Sequence, residues 1–236
     1  RVLGQPDFTS NTALSAIAAN SQVKDRMNAP SSLAFDRAGR LFVPDGLNRV
    51  LVFPPDPASG SPAARLMGIL VRQAGEPAPP AVNATVLRAP QGVLVINNTP
   101  LVIDSGNHRI LRYDPVDLWP AETAASVSPP ARAVIGQSGL TSTLEAKANR
   151  GRPGPVGNGF SVPVQAAFAG GETFVVDPGN NRVLVFGDLS SGPAASESAP
   201  YDALRVLGQI GFDLGSPNLA EGREFWFNTA SFAGGG

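Results

Sequence analysis

Three copies of one word constrain this chain more than anything else in it: Leu41 to Phe53, Leu101 to Tyr113 and Thr173 to Phe186. In each, an apolar run ends on Asp, a short Gly/Asn stretch follows, and a β-branched run restarts on Arg and finishes on an aromatic residue. Small and amide residues between two β-formers turn the backbone at low steric cost, so each copy reads as a β-hairpin.

The repetition extends beyond the hairpins. A second word, Arg1-Val2-Leu3-Gly4-Gln5, recurs as Arg65-Leu66-Met67-Gly68, Ala133-Val134-Ile135-Gly136-Gln137 and Arg205-Val206-Leu207-Gly208-Gln209. A third precedes each hairpin: Ser31 to Asp36, Gln91 to Ile96, Val164 to Ala169, and once more Thr229 to Ala233. Tight polar turns follow it at Arg37–Arg40, Asn97–Pro100 and Gly170–Glu172. One unit is therefore strand A, tight turn, strand B, Asp/Gly/Asn turn, strand C, longer connection, strand D. Four antiparallel strands per repeat make the blade of a β-propeller. Strand C runs such as Val183-Leu184-Val185-Phe186 are apolar at successive positions, which calls for a sheet covered on both faces, as blade stacking provides.

The fold class expected is all-β, a β-propeller of four-stranded antiparallel blades. About three are complete, near 27–70, 87–137 and 160–209 of a single domain over 1–236, with partial blades at both ends. The expected strands are 31–36, 41–45, 49–53 and 65–69; then 92–96, 101–104, 109–113 and 132–136; then 164–169, 173–177, 182–186 and 204–208. Three blades are too few for a ring, since propellers use about 4–8. The chain accordingly reads as part of a longer propeller, the remaining blades or a second copy closing it. An isolated arc would expose apolar faces around Val2-Leu3 and Phe232-Ala233 and is expected to aggregate or recruit a partner.

Between the words, 54–64, 114–130 and 187–202 are rich in Pro, Ala and Ser and read as surface excursions. The D-to-A connections carry traces of helix, with Leu14, Ile17 and Ala18 on one helical face and a capping box at Ser142-Thr143-Leu144-Glu145. Arg150 to Gly159 lacks periodicity and reads as a mobile loop. Gly (26) and Pro (23) make up about a fifth of the chain, which suits many turns and short helices at most. Eighteen Lys plus Arg against 19 Asp plus Glu leave a formal charge of −1, so no broad basic face exists to neutralise nucleic-acid phosphates. No apolar run reaches the roughly 18 residues of a membrane span. The absence of cysteine excludes disulfides and thiolate chemistry.

Asp, Gly, Asn and Arg ahead of an Ile/Val-rich strand, clearest in Asp104-Ser105-Gly106-Asn107-His108-Arg109-Ile110 and Asp177-Pro178-Gly179-Asn180-Asn181-Arg182-Val183, resembles the NHL repeat. Successive hairpin arginines stand 60 and 73 positions apart, longer than the roughly 40–45 residues of a short-looped blade. The resemblance implies a six-bladed ring. Some proteins of this fold are zinc- and calcium-dependent lyases or lactone hydrolases.

The repeat-signature residues are Asp45, Asn48, Arg49, Asp104, Asn107, Arg109, Asp177, Asn181 and Arg182. A ring of aspartates could bind a cation such as calcium, but Asp before a Gly/Asn turn ordinarily accepts its own turn amides, and a repeated residue is first a repeat-building residue. The arginines are expected to bridge backbone carbonyls or an aspartate. His108 is the single histidine, so a three-histidine zinc site cannot be built from this segment, and it occupies a turn slot. No Gly-x-Ser-x-Gly is present. Glu172, Glu197, Glu221 and Glu224 are scattered in connections, while Trp119 and the cluster Phe225-Trp226-Phe227 read as local anchors. The function expected is a non-enzymatic scaffold whose loop-covered face binds a protein, peptide or carbohydrate. The alternative is a lactonase-like or amidating-lyase-like metalloenzyme with its catalytic residues in other blades. The Pro/Ala/Ser-rich loops and low lysine count favour an extracytoplasmic location.

Overall fold

The computed structural model describes residues 1–10, 22–69, 82–140, 147–193 and 201–217. Its framework is three four-stranded antiparallel sheets, each formed by strands consecutive in sequence. The first contains β1 (Ala34–Phe35), β2 (Leu41–Asp45), β3 (Arg49–Phe53) and β4 (Arg65–Met67). The second contains β5 (Pro90–Ile96), β6 (Thr99–Asp104), β7 (Arg109–Arg112) and β8 (Ala133–Ile135). The third contains β9 (Gln165–Ala169), β10 (Glu172–Asp177), β11 (Arg182–Phe186) and β12 (Arg205–Leu207). Helix among the described residues is limited to single 3-10 turns. This is the all-β propeller architecture, three blades in chain order. No described helix is long and apolar enough to cross a membrane.

The sheets stack face to face through interleaved apolar side chains. Phe42, Val50, Val52 and Met67 of the first sheet meet Val102, Leu111, Tyr113 and Val134 of the second. Leu101, Ile103, Ile110 and Ile135 of the second meet Val175, Leu184 and Phe186 of the third. Being covered on both sides, β3 and β6 are apolar-rich and buried almost throughout. β10 alternates between buried and half-buried residues, as in a sheet with one covered face. The first strands of the blades converge, and Gln165 donates to the Ser32 hydroxyl at 3.2 Å. Gly92 lies beneath this contact, where a Cβ would stand 2.7 Å from the Gln165 side-chain oxygen.

Several expectations need correction. Strand A of the first blade pairs only at Ala34 and Phe35 instead of 31–36. Pro44 supplies the cause: its carbonyl accepts the Ser31 N–H at 3.1 Å, so its missing N–H faces the same neighbour and the ladder stops. Arg1 to Gln5 is not a strand, because no strand C lies beside it among the described residues. The D strands are three residues long, and β5, β6 and β10 begin ahead of their expected starts. The segment 150–159 is built into the fold: the Val156 and Gly159 carbonyls each accept from Arg182 at 2.9 Å, and Asn149 just before it is buried. Residues 14–18, 142–145, 225–227 and 229–233, with Glu197, Glu221 and Glu224, lie outside the described residues.

Candidate functional site

β2 ends on Asp45 and β3 begins on Arg49, and the register sets the two opposite each other; Asp104 faces Arg109 and Asp177 faces Arg182 in the same way. The side chains of all three pairs are fully buried, with N···O distances of 2.9, 2.7 and 2.8 Å. Each guanidinium also gathers carbonyls from the connection leading into its own blade. Arg49 donates to Val23 and Arg26, Arg109 to Asn83 and Val86, and Arg182 to Val156 and Gly159. In every blade these carbonyls stand 26 and 23 positions before the arginine, although the repeats differ in length. A planar fork with five donors suits this geometry, which a point-like ammonium would satisfy only in part.

The carboxylates hold the same connection. Asp45 accepts the Asn28 N–H at 3.3 Å, Asp104 that of Arg88 at 2.7 Å, and Asp177 that of Ser161 at 2.6 Å. The carbonyls of Asn28, Arg88 and Ser161 in turn accept the amides of Gly46, Gly106 and Gly179 at 2.6, 2.9 and 3.0 Å. Glycine is needed for close approach: a Cβ on Gly179 would sit 2.4 Å from the Ser161 carbonyl oxygen. Burial pushes the carboxyls of Asp104 and Asp177 up from the usual range, while the facing arginine and the N–H donors act against it.

The three signature asparagines prove inequivalent. Asn107 donates to Asp104 at 2.8 Å, and its counterpart in the third blade is Asn180, which donates to Asp177 at 2.7 Å. Asn48, His108 and Asn181 instead share the left-handed position, with φ of 57°, 52° and 50°. These residues reach into the next connection: Asn48 accepts the Ala89 N–H at 2.8 Å, His108 Nδ1 accepts that of Val162 at 2.9 Å, and Asn181 donates to Gly215 at 2.7 Å. Accepting through Nδ1 requires neutral imidazole, and burial, with Arg88 adding to it and Asp104 opposing, lowers the His108 pKa.

Two kinds of residue escaped the sequence reading. Gln137 donates to the Asn107 and His108 carbonyls of its own blade and to Lys147 ahead, and Gln209 likewise joins Asn181 to Ser216. The recurring Gly-Gln was visible, but not its use. Arg112 stands where the other blades carry Val52 and Val185. Buried, it donates to the carbonyls of Ser191 and Gly192 and, at 2.8 Å, to the Tyr201 hydroxyl, with its guanidinium carbon 5.8 Å from that ring. Unlike the three paired arginines, it has no carboxylate partner among the described residues.

Arg112 borders an open cavity of about 440 Å³ between the second and third blades, lined also by Thr99, Asp114, Arg132 and Ser190 to Gly192. Arg132 pairs with Asp114 at 2.6 Å across its mouth. Glu172 pairs with Arg205 on the surface. Trp119 is buried, its indole N–H donated to the Asp114 carbonyl at 2.6 Å and Arg65 over its ring. Among the described residues no group of three or more His, Cys, Asp or Glu could hold a metal ion.

No known protein family matches the chain, and no curated protein matches it. Among solved structures it is similar to AztD from Citrobacter koseri, at 12% identity and a TM-score of 0.36, covering 73% of this chain and 36% of that one. It is also similar to a protein from Bacteroides uniformis described as a 6-phosphogluconolactonase, at 14% identity and a TM-score of 0.40, covering 80% of this chain and 45% of that one. The chain thus spans less than half the length of either. The fold assignment rests on the sheet topology itself.

Proposed function

We propose that the chain is an NHL-type propeller segment acting as a non-enzymatic binding scaffold, its ligand a protein, peptide or carbohydrate held where the long connections meet. The observation that carries this reading is the enclosure of every repeated acid. Asp45, Asp104 and Asp177 are buried against arginine and amide donors, which leaves them unsuited to general acid–base work or to presenting an open metal site. What departs from the repeat is the better guide to ligand binding in a repeat protein, and Arg112 is that departure. The cavity beside it has the volume of a small-ligand pocket, with hydroxyl, carboxylate and guanidinium groups suited to a polar ligand.

The test is a screen of glycan and peptide arrays with the native protein and with Arg112→Val, the residue found in the other blades. Binding that falls at least about tenfold in the variant, about 1.4 kcal/mol, supports the reading. Binding unaffected by the change moves the site elsewhere. Stoichiometric calcium or zinc in the native protein by elemental analysis would refute the non-enzymatic assignment.

A further inference from the structure

At the junction of the first and second blades, Arg40 crosses to Asp117 in the connection between strands C and D of blade two, and the ion pair fills the space between them. Arg40 stands five positions before Asp45, and Asp117 four after Tyr113. The same positions at the next junction are Thr99, five before Asp104, and Ser190, four after Phe186. Two short hydroxyl side chains thus replace a long ion pair, and both line the cavity of about 440 Å³ that opens in its place. Thr99 is only 8% exposed, yet its hydroxyl has no partner among the described residues.

The charge around this opening is also particular to blade two. The amides of Ala64, Arg132 and Leu204 donate to the strand C carbonyls of Val52, Arg112 and Val185, which makes the three blades equivalent at these positions. Directly after the aromatic that closes each strand C word come Pro54, Asp114 and Gly187. All three positions are uncharged in the first and third blades, and blade two holds Arg112, Asp114 and Arg132 there. Both Nη groups of Arg112 are committed to neutral oxygens, the carbonyls of Leu189, Ser191, Gly192 and Pro193 and the Tyr201 hydroxyl. Those oxygens satisfy its donors without cancelling its charge. Arg132 meets Asp114 through Nε at 2.6 Å, and its Nη groups, on a side chain 65% exposed, have no partner among the described residues. Two guanidinium groups against one carboxylate leave the lining with one positive charge, and the Arg112 share of it is buried, where an unmatched charge is costly.

Resting on the reading of this cavity as the ligand site, we propose that its ligand is an acidic sugar, a uronic acid at the end of a glycan. One carboxylate supplies the missing negative charge. Its two oxygens match the paired Nη donors of Arg132, with Arg112 behind them as a fixed positive charge. The ring hydroxyls find the Thr99 and Ser190 hydroxyls and the Asp114 carboxylate. A peptide finds less here, because the carbonyls of this wall that could pair with its backbone are already held by Arg112. A phosphate monoester carries nearly two negative charges at pH 7, more than the lining offsets.

NMR titration of the native protein with glucuronate, glucose and glucose 6-sulfate tests this beside the arrays. Glucuronate should bind at least about tenfold more tightly than glucose. Thr99→Arg combined with Ser190→Asp installs the ion pair that the first junction already carries, and should close the cavity and abolish glucuronate binding. Arg132→Gln, on an exposed side chain, should weaken it at least about tenfold and carries the test if the double variant fails to fold. Glucose binding as tightly as glucuronate, no saturation by glucuronate at about 10 mM, or a folded double variant that still binds would each overturn the proposal. A sulfate that matches the carboxylate makes the site one for any monoanion and overturns the uronic acid. Array binding to uncharged glycans that falls with Arg112→Val keeps the site and overturns only its acidic ligand. Array binding indifferent to Arg112→Val removes the site, and this proposal with it.

Discussion

Replacing Arg182 by Ala should be among the most damaging single changes available to the third blade. The substitution removes the 2.8 Å ion pair to Asp177, the 2.7 Å bond to Phe212 and the two 2.9 Å bonds to Val156 and Gly159. Stripping the partner from a fully buried carboxylate costs about 3–5 kcal/mol, and the abandoned carbonyls add to it wherever water cannot reach them. A loss of at least about 4 kcal/mol follows. At roughly 2–4 °C per kcal/mol for a chain of this size, the melting temperature falls by about 10–15 °C. Arg182→Lys restores the charge but cannot span the carboxylate and three carbonyls together, so it should recover less than half. Arg109→Ala should be milder by about 1 kcal/mol, because Nη1 of Arg109 has no partner among the described residues and one acceptor fewer is abandoned. Urea denaturation read by intrinsic fluorescence gives the comparison. An Arg182→Ala protein within about 1 kcal/mol of the native one, or a lysine variant matching it, would refute the reasoning.

The glycines before the turns should rank by their close approaches: Gly179→Ala, with Ser161 atoms at 2.3 and 2.4 Å, lowers the melting temperature more than Gly106→Ala at 2.7 Å, and that more than Gly46→Ala at 3.1 Å. Calorimetry on the three variants checks the order, and an equal or reversed ranking would show that the backbone yields. His108 should make stability depend on pH. Its folded pKa lies below the ordinary 6.5, so the unfolded chain takes up the proton first; the stability is complete above about 6.5 and declines as pH falls through the window down to the folded value. His108→Asn, the residue of the first and third blades at that position, keeps an acceptor for Val162 and should flatten this part of the profile in urea midpoints between pH 8 and 5. A profile as steep as the native one would move the titration elsewhere.

The three hairpins were legible because their signal is redundant. Two apolar runs around an Asp-to-Arg turn state both the pairing and the register, and three copies remove the ambiguity of one. What remained hidden depends on neighbours. Arg1 to Gln5 has the composition of a strand, but a strand also needs an adjacent edge, which composition does not reveal. Asn48, Asn107 and Asn181 look alike in sequence, yet the turn of blade one is a residue shorter, which moves its asparagine from the carboxylate-binding slot to the left-handed one. Leu47 fills the other slot, and its backbone N–H donates to Asp45 at 3.0 Å in place of the missing carboxamide. Arg112 could have been found by asking where one copy breaks the pattern of the others. The donors of Gln137 reach carbonyls about 30 and 10 positions away in opposite directions, a connection that no local pattern encodes.

The constant spacing of 26 and 23 residues between each arginine and its carbonyls works as a ruler laid along the chain. Inside the ruler, from the first gripped carbonyl to the guanidinium, a single inserted residue shifts two acceptors out of the reach of a rigid fork, and the blade loses its clasp. Outside it, nothing is measured: the stretches after strands C and D have taken up differences of more than ten residues between repeats while the clasp stays the same. The same polypeptide is thus divided into lengths that cannot vary and lengths that can. New sequence is accommodated in the second kind without renegotiating the core: after strand C on the blade end where the Arg112 cavity opens, and after strand D on the opposite end, beside the B–C turns.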